Sequence, residues 1–232
     1  DVAPSRGLGD VYKRQGVDIQ SEGYNTEIKW DLFENEEGGT YTSLGLYCPS
    51  WAYTSADTIQ NFWKQENKLW VNSMGDPSAD VKKLSNTQWK GISSYILERT
   101  PLTSLPFVTN FSTGHGYSFF KNGSQISLLD WNNRSIADIM PTYRYIIENG
   151  NGNKLSADLD VADAYYGGTS LILRGNMAKD TSSTIKLYAA ELTAADNMIY
   201  TTAAKAKGTE ITLNAVLELE DGSVVTLSLI HI

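Results

Sequence analysis

Two different hydrophobic periodicities divide the chain into two parts. In the first part, Thr42–Tyr47 is a short apolar run that ends just before Pro49, and because a proline ring blocks further ladder pairing, the run predicts a buried strand. A loop is predicted over Ser50–Ser55. From Ala56 to Val71 apolar residues recur mostly at helical spacing, which predicts an amphipathic helix. A strand followed by a helix is the repeating unit of α/β folds.

The residues that follow predict a second helix and a second strand. The helix is expected over Thr87–Leu97, and the strand over Leu105–Phe111, just before the glycine-flanked His115. In the first helix, Trp63 and Trp70 are predicted to face the core. The order strand, helix, helix, strand is typical of a parallel α/β barrel or a doubly wound sheet.

The second part of the chain has strand periodicity between turn residues. Asp221-Gly222 is a hairpin signal, because a type I′ turn needs positive φ at both central positions. The pattern predicts an antiparallel sandwich. Its strands are expected over Asp158–Ala164, Thr169–Arg174, Thr184–Glu191, Met198–Ala203 and Glu210–Glu220.

Tryptophan usage supports a division into two domains. All six tryptophans precede Ile146, and the residues from there to Thr226 contain none. Asn149–Asn153 (NGNGN) is compatible with a linker and equally with a long hairpin tip, and the sequence leaves both interpretations open.

The two ends of the chain are related at the DNA level. The bases GAT GTG TAT AAG AGA CAG encode Asp10–Gln15, and their reverse complement encodes Leu227–Ile232. These bases are the mosaic end of a sequencing-library transposon, and Ser5–Gly9 matches the adapter that precedes it. We therefore expect residues 1–15 and 227–232 to be translated adapter and the native residues 16–226 to be an internal fragment.

Charge and composition exclude several classes of function. The formal net charge is −8, and an acidic chain disfavours nucleic acid as a partner. With one cysteine and two histidines, one of them in the expected adapter, neither a disulfide framework nor a zinc cluster can be assembled. No apolar run approaches the roughly 20 residues that span a bilayer. We therefore expect no metal, no cofactor and no membrane span in this segment.

Polar and aromatic side chains follow the ends of successive strands. In an α/β barrel the strand ends and the loops after them build the active site. Aromatic rings next to hydrogen-bonding groups suit carbohydrate, whose C–H faces stack on rings. A structural role stays open for several of them, since a histidine between two glycines is typical of a turn. The candidate substrate-binding residues are Asp18, Gln20, Trp51, Tyr53, Asn110 and His115.

Six segments, in order along the chain, resemble successive blocks of the endo-β-N-acetylglucosaminidases of glycoside hydrolase family 85. They are GVDIQ (Gly16–Gln20), SLGLYCPSW (Ser43–Trp51), NFWKQENKLWV (Asn61–Val71), LPFVTNFSTGHG (Leu105–Gly116), WNNRSIADIMPTYRY (Trp131–Tyr145) and DAYYGGTSL (Asp163–Leu171). The resemblance implies an α/β plus all-β fold, the C-terminal part of a TIM (β/α)8 barrel followed by an antiparallel β-sandwich. Residues 16–116 would belong to the barrel and 117–226 to a truncated, jelly-roll-like sandwich.

The resemblance also implies a reaction. Such enzymes hydrolyse the GlcNAc-β-1,4-GlcNAc core of N-linked glycans by a substrate-assisted retaining mechanism, an exception to the two-carboxylate scheme. The family's catalytic Asn-x-Glu pair is expected upstream of Gly16 and therefore outside this chain. Asn25-Thr26-Glu27 matches the Asn-x-Glu pattern, but it lies in a predicted loop. No catalytic residue is therefore assigned here, and we expect the chain alone to be inactive.

The partner implied is an N-linked glycan or a glycoprotein that carries one. A secreted or cell-surface location is expected if the source is bacterial, whereas other branches of the family are cytosolic. An alternative of another class is a non-catalytic carbohydrate-binding or adhesion module, in which the sandwich binds sugar and the barrel part is scaffold.

Overall fold

The structure is a computed structural model with mostly β structure and few helices. By its internal contacts the chain divides into two units, Asp1–Leu192 and Thr193–Ile232, which are described separately. The residues described are 14–33, 42–76, 79–94, 102–141, 146–193, 195–208 and 210–231.

Two parallel strands open the first unit. Strand β1 (Arg14–Asp18) pairs with β2 (Ser43–Tyr47), in a register that places Asp18 beside Tyr47. The strand predicted over Thr42–Tyr47 is therefore confirmed, but its predicted burial is wrong, because its side chains alternate between exposed and partly buried positions. The predicted loop over Ser50–Ser55 instead contains the one-turn helix α1 (Trp51–Thr54). Pro49 favours this turn, because its fixed φ suits the start of a helix and its carbonyl accepts from Ala52 N at 3.3 Å.

Helix α2 (Ile59–Trp70) confirms the predicted amphipathic helix. The Thr58 side chain caps it by accepting from Asn61 N at 3.1 Å. Trp63 is buried as predicted. The prediction is wrong for Trp70, because Leu69 takes the inward position in the last turn and leaves 43% of Trp70 exposed.

The core of this part of the unit is built around two indoles. Trp30 and Trp89 pack edge to face with ring centroids 5.4 Å apart. Each buried N–H reaches a backbone carbonyl, Trp89 Nε1 donating to Leu69 O at 2.8 Å and Trp30 Nε1 to Gln88 O at 2.6 Å. The buried members of the cluster are Ile19, Ile28, Trp30, Phe33, Ala52, Leu69 and Trp89.

The helix predicted over Thr87–Leu97 is wrong for its described residues. Only a 3₁₀ turn, Ile92–Ser94, forms there, and residues 95–97 lie outside the described ranges. The backbone of this segment bonds to other parts of the chain, because Ser73 N donates to Trp89 O at 3.1 Å. Gly91 has φ +93° and lies directly against the Val71 carbonyl. Burial of Trp89 therefore prevails over local helical periodicity.

The strand predicted over Leu105–Phe111 is also wrong. Those residues form no regular strand, and Phe111 adopts a left-handed φ of +57°. Amide groups of this loop donate to the Asp138 carboxylate instead of to a neighbouring strand. A side chain 28 residues away therefore replaces the expected ladder.

The rest of the first unit consists of short antiparallel pairs. The strands pair as β3 with β6, β7 with β11 and β8 with β10, and β4 lies between β5 and β9. The predicted antiparallel pairing is confirmed, although several bounds shift by about four residues. The strands are β3 (His115–Gly116), β4 (Phe119–Lys121), β5 (Ser124–Ser127), β6 (Trp131–Asn132), β7 (Ile146–Asn149), β8 (Lys154–Asp160), β9 (Tyr166–Gly167), β10 (Ser170–Asn176) and β11 (Ser183–Lys186).

Asn149–Asn153 forms a tight turn between β7 and β8. The buried Asn153 amide donates to Ser182 O at 3.0 Å, and its carbonyl oxygen accepts from Ala178 N at 2.8 Å and from Thr181 Oγ1 at 2.7 Å. The structure matches neither of the two interpretations left open by the sequence. The segment is a hydrogen-bonded turn and not a free linker, and it is not a hairpin tip, because β7 pairs with β11 and β8 with β10.

The second unit contains one hairpin, β12 (Thr212–Glu218) with β13 (Val224–His231), among its described residues. The predicted hairpin is confirmed, but its turn is not type I′. Only Gly222 has positive φ, at +78°, and Leu219 O accepts from Gly222 N at 2.9 Å. The strand predicted over Met198–Ala203 does not form, and Ile199 is 89% exposed.

Some residues expected to be adapter take part in strands. Arg14 and Gln15 pair within β1, and residues 227–231 pair within β13. Ladder hydrogen bonds join backbone N–H and C=O groups, which do not depend on the origin of the side chain. The pairing therefore does not test the adapter interpretation, which stays a prediction.

Candidate functional site

The carboxyl ends of β1 and β2 lie side by side. Just beyond Asp18, Ile19 N donates to Tyr47 O at 3.2 Å. The chain then leaves β2 through Cys48, whose φ is +58°, and enters α1 at once. This bend places Trp51 directly after the strand end. The parallel pairing therefore brings the predicted residues of the two strand ends to one edge of the sheet, which is called the β1–β2 edge below.

The polar part of the β1–β2 edge is exposed. Asp18 Oδ1 accepts from Gln20 N at 2.8 Å, in an Asx turn that holds the carboxylate in place. Tyr47, which the sequence did not single out, is 61% exposed beside it. The pKa of the Tyr47 phenol is raised by its hydrogen bond with Cys48, and further by the charges of Cys48 and Asp18. The neutral phenol can therefore donate a hydrogen bond.

Two aromatic rings of the edge differ in exposure. Tyr53 is 68% exposed and contacts Phe62 edge to face, with centroids 5.7 Å apart. Trp51 is partly buried, because Tyr24 meets it edge to face at 5.4 Å and it packs against the core cluster. Tyr53 therefore offers a free stacking surface, whereas Trp51 serves packing as well.

Tyr24 is a member of the edge that sequence reasoning missed. Besides its contact with Trp51, its ring lies 5.0 Å from Lys68 Nζ, near the end of α2. Cation–π attraction at this distance holds the lysine over the ring. No local pattern could have identified Tyr24, since Trp51 lies 27 residues further along the chain.

His115 lies in a second cluster, on β3. Its ring is 4.2 Å from the ring of Trp63, and Nδ1 is 2.8 Å from Thr113 Oγ1. Burial, together with the Arg134 charge, lowers the His115 pKa to about 4, so the imidazole is neutral at pH 7. These contacts are those of a packing residue, and its proposed contact with substrate stays a prediction.

Asn110 belongs to the loop held by Asp138. Its backbone N–H donates to Asp138 Oδ2 at 2.8 Å, and the residue is partly exposed. The described contacts join Asn110 and His115 to this second cluster and do not join them to the β1–β2 edge. The structure thus places four of the six predicted residues after the paired ends of β1 and β2, and the other two in the second cluster.

Arg134 and Glu66 connect the second cluster to α2. The Arg134 guanidinium pairs with the Glu66 carboxylate, and its Nη1 donates to Thr113 O at 2.9 Å. Burial raises the Glu66 pKa, while the Arg134 charge lowers it. The two residues are 68 positions apart, so only the folded chain reveals the pair.

Across the described ranges, no three His, Cys, Asp or Glu side chains are grouped so that they could hold a metal ion. In the same ranges, no helix has the length and apolarity to cross a membrane.

The sequence profile of glycosyl hydrolase family 85 matches residues 6–119. The match begins within the expected adapter and ends just after the last residue expected in the barrel part. It includes both strands of the β1–β2 edge and the whole of α2.

Curated relatives and a solved structure agree with this match. The chain is 26% identical to the cytosolic endo-beta-N-acetylglucosaminidase of Danio rerio, over 72% of this chain and 21% of that protein. For the Homo sapiens enzyme of the same name the identity is 25%, over 72% of this chain and 20% of that protein.

The glycoside hydrolase domain of Endo-D from Streptococcus pneumoniae R6 is 34% identical, with a TM-score of 0.62, over 75% of this chain and 27% of that one. The chain thus spans between a fifth and about a quarter of the length of these relatives. The profile, the relatives and the structural match all concern one family, and the chain belongs to glycosyl hydrolase family 85.

Proposed function

We propose that the chain is part of an endo-β-N-acetylglucosaminidase that hydrolyses the GlcNAc-β-1,4-GlcNAc core of N-glycans, and that the β1–β2 edge forms part of the rim of its sugar site. The observation that carries the proposal is the parallel pairing of β1 and β2, after whose carboxyl ends Asp18 and Gln20, and Trp51 and Tyr53, follow. Names of the relatives support the substrate class.

The proposed fold is the C-terminal part of a TIM barrel followed by a β-sandwich. Parallel strands β1 and β2, with α2 after the second, support this proposal, since they would form part of the strand–helix repeat of such a barrel. The antiparallel strands from β4 to β11 would belong to the sandwich. The proposed boundaries stay at residues 16–116 and 117–226.

Each residue of the rim has a separate role in the proposal. The Asp18 carboxylate accepts hydrogen bonds from sugar hydroxyls, and Gln20 can donate and accept. The exposed Tyr53 ring stacks on the C–H face of a sugar. Trp51 presents the part of its ring that Tyr24 and Gly23 leave open. Asn110 and His115 contribute from the second cluster.

The residues that catalyse the chemical step are proposed to lie outside this chain. In the proposed mechanism the acetamido oxygen of the substrate attacks the anomeric carbon to form an oxazolinium, and a glutamate acts first as general acid and then as base. The Asn-x-Glu pair that would do this is placed upstream of Gly16. Asn25-Thr26-Glu27 does not fit the role, because Asn25 ends a 3₁₀ turn and Glu27 follows it in a loop.

The proposed partner is an N-glycan or a glycoprotein. A secreted or cell-surface location is proposed for a bacterial source, while the eukaryotic relatives are named as cytosolic enzymes.

Reading the source DNA upstream of Gly16 tests the proposal first. We expect an Asn-x-Glu sequence at the end of an apolar, strand-length run. Its absence would overturn the hydrolytic mechanism and favour a carbohydrate-binding module.

Glycan release then tests the rim. In the enzyme extended by its upstream sequence, Tyr53→Ala should lower the release of high-mannose glycan from a glycoprotein, whereas Lys64→Ala, on the exposed face of α2, should not. Equal activity of the two variants would contradict the role of Tyr53. The 232-residue chain should release no glycan, and release by that chain would show that the catalytic pair is not upstream.

A further inference from the structure

A short segment after β6 runs along the loop that carries Asn110. Asn133 N donates to Gly114 O, and Asp138 N donates to Ser112 O, both at 2.7 Å. The two stretches are therefore joined without forming a regular ladder. Residues 133–138 are called the strap below, and residues 109–114 the loop that it holds.

Asp138 supplies the charged part of this junction. Its Oδ2 accepts from Asn110 N at 2.8 Å and from Ser112 N at 3.0 Å. The residue between these two donors, Phe111, is in the left-handed region at φ +57°, a conformation that a non-glycine residue keeps only when its surroundings impose it. Hydrogen bonds to a carboxylate are among the stronger ones in proteins. Asp138 therefore stabilises the bend that sets the direction of Asn110.

Thr169 holds the same bend from the other side. Its hydroxyl donates to Phe111 O at 2.7 Å and accepts from Thr113 N at 3.1 Å, and the residue is only 1% exposed. The amide groups of the bend thus donate to the Asp138 carboxylate, and the Phe111 carbonyl accepts from the buried Thr169 hydroxyl. This arrangement leaves the Asn110 backbone little freedom to reorient.

Arg134 joins the strap and the loop to α2. One guanidinium nitrogen donates to Thr113 O at 2.9 Å, and the other pairs with Glu66 on α2. His115, at the end of the loop, stacks on Trp63 of the same helix. The loop is therefore fastened to the helix that follows Trp51 and Tyr53.

We propose that Asp138 and Arg134 are positioning residues of the sugar site: Asp138 sets the backbone that carries Asn110, and Arg134 fixes that loop on α2. The inference rests on the proposed function, because it gives Asn110 a substrate to contact. Neither residue is assigned a contact with the sugar. Both act through the loop.

The test uses the 232-residue chain labelled with ¹⁵N and titrated with N,N′-diacetylchitobiose. Asp138→Ala should move the amide resonances of Asn110 and Ser112 upfield and weaken sugar binding about tenfold, from the loss of two charge-assisted hydrogen bonds. Asp138→Asn keeps an acceptor oxygen, so it should restore both resonances and weaken binding no more than about twofold. Arg134→Ala should weaken binding about threefold.

Matched controls come from exposed residues of the same unit. Asp130→Ala and Arg174→Ala remove the same charges at positions outside the strap and should leave binding unchanged. A double variant supplies a readout that a general loss of stability would not give. If Asp138 acts through Asn110, adding Asp138→Ala to Asn110→Ala should weaken binding no further.

The outcomes separate the two proposals. Binding by the wild-type chain that Asp138→Ala and Arg134→Ala leave unchanged would overturn the positioning role and leave the sugar site intact. No sugar-dependent shift at Asp18, Trp51 or Asn110 of the wild-type chain would overturn the proposed rim and the inference with it. If Asp138→Ala does not fold, the other two variants, Arg134→Ala and Asp138→Asn, test the positioning role. A tenfold loss of sugar binding in Asp138→Asn would contradict it, because the asparagine keeps an acceptor oxygen for the two amide groups.

Discussion

Gly23 lies directly against the six-membered ring of Trp51, with no space for a β-carbon between them. Its φ of +56° is in the left-handed region, so a side chain there would be strained even without the indole. The two residues thus interlock the turn after β1 with the helical turn after β2. This contact therefore restricts where the Trp51 ring can lie.

Substitution of Gly23 should therefore displace Trp51. We expect Gly23→Ala to lower the free energy of unfolding by about 2–3 kcal/mol, from steric overlap and backbone strain together. The near-ultraviolet circular dichroism of the tryptophans should change as well. Gly16→Ala is the matched control, since a β-carbon there would meet nothing within 4 Å and the φ is not positive. An unchanged near-ultraviolet spectrum in Gly23→Ala would contradict the contact between Gly23 and the Trp51 ring as described.

Trp89 should contribute far more to stability than Trp70. It is 1% exposed and its indole N–H donates to Leu69 O, whereas Trp70 is 43% exposed. Trp89→Ala should cost about 3–5 kcal/mol, the usual range for a buried tryptophan, and Trp70→Ala under about 2 kcal/mol. Urea unfolding followed by fluorescence measures both. Similar losses in the two variants would contradict the core as described.

The lowered pKa of His115 predicts that the folded chain loses stability in mild acid. Its pKa is about 4 in the folded chain, below the ordinary value of 6.5, so between these values the unfolded chain binds a proton that the folded chain does not. The free energy of unfolding should therefore fall as the pH drops from 6.5 to 4, by at most about 3 kcal/mol at ~1.4 kcal/mol per pKa unit.

The raised pKa of Glu66 has the opposite effect on the free energy of unfolding at acidic pH. Its pKa is raised by burial, so the folded chain takes up that proton more readily than the unfolded chain as the pH falls. Unfolding of wild type, His115→Gln and Glu66→Gln at several pH values separates the two groups. The pH dependence should flatten in His115→Gln and steepen in Glu66→Gln, and a wild-type slope in His115→Gln would refute the assignment.

Asn153 should be the most sensitive residue of the turn between β7 and β8. Its buried amide makes four hydrogen bonds, to Ser182, Ser183, Ala178 and Thr181. Asn153→Ala leaves several of these groups unpaired and should cost about 2–4 kcal/mol. Asn176→Ala, at the exposed end of β10, should cost little. Thermal unfolding of both variants checks the difference, which a flexible linker at residues 149–153 would abolish.

Elements that are specified by residues close together in the sequence were predicted correctly. Helix α2 follows from its apolar spacing and from the Thr58 cap, and β2 from an apolar run closed by Pro49. That the ends of β1 and β2 lie side by side follows from the predicted parallel strands, because parallel pairing aligns the ends of neighbouring strands.

Elements that depend on contacts between residues far apart in the sequence were not predicted. The segment around Trp89 is apolar enough for a helix, but its indole is bound by Leu69 O, 20 residues earlier. The loop at Asn110 bonds to Asp138, and Arg134 pairs with Glu66. Such partners are set by tertiary packing, which single-sequence periodicity does not contain.

Cys48 is the single cysteine of the chain and lies at the bend between Tyr47 and α1, at the centre of the β1–β2 edge. A thiol-reactive fluorophore or spin label would therefore attach at one known position, three residues before Trp51, in the wild-type sequence. A label on this thiol would therefore report directly on the proposed sugar site, with no engineered residue required.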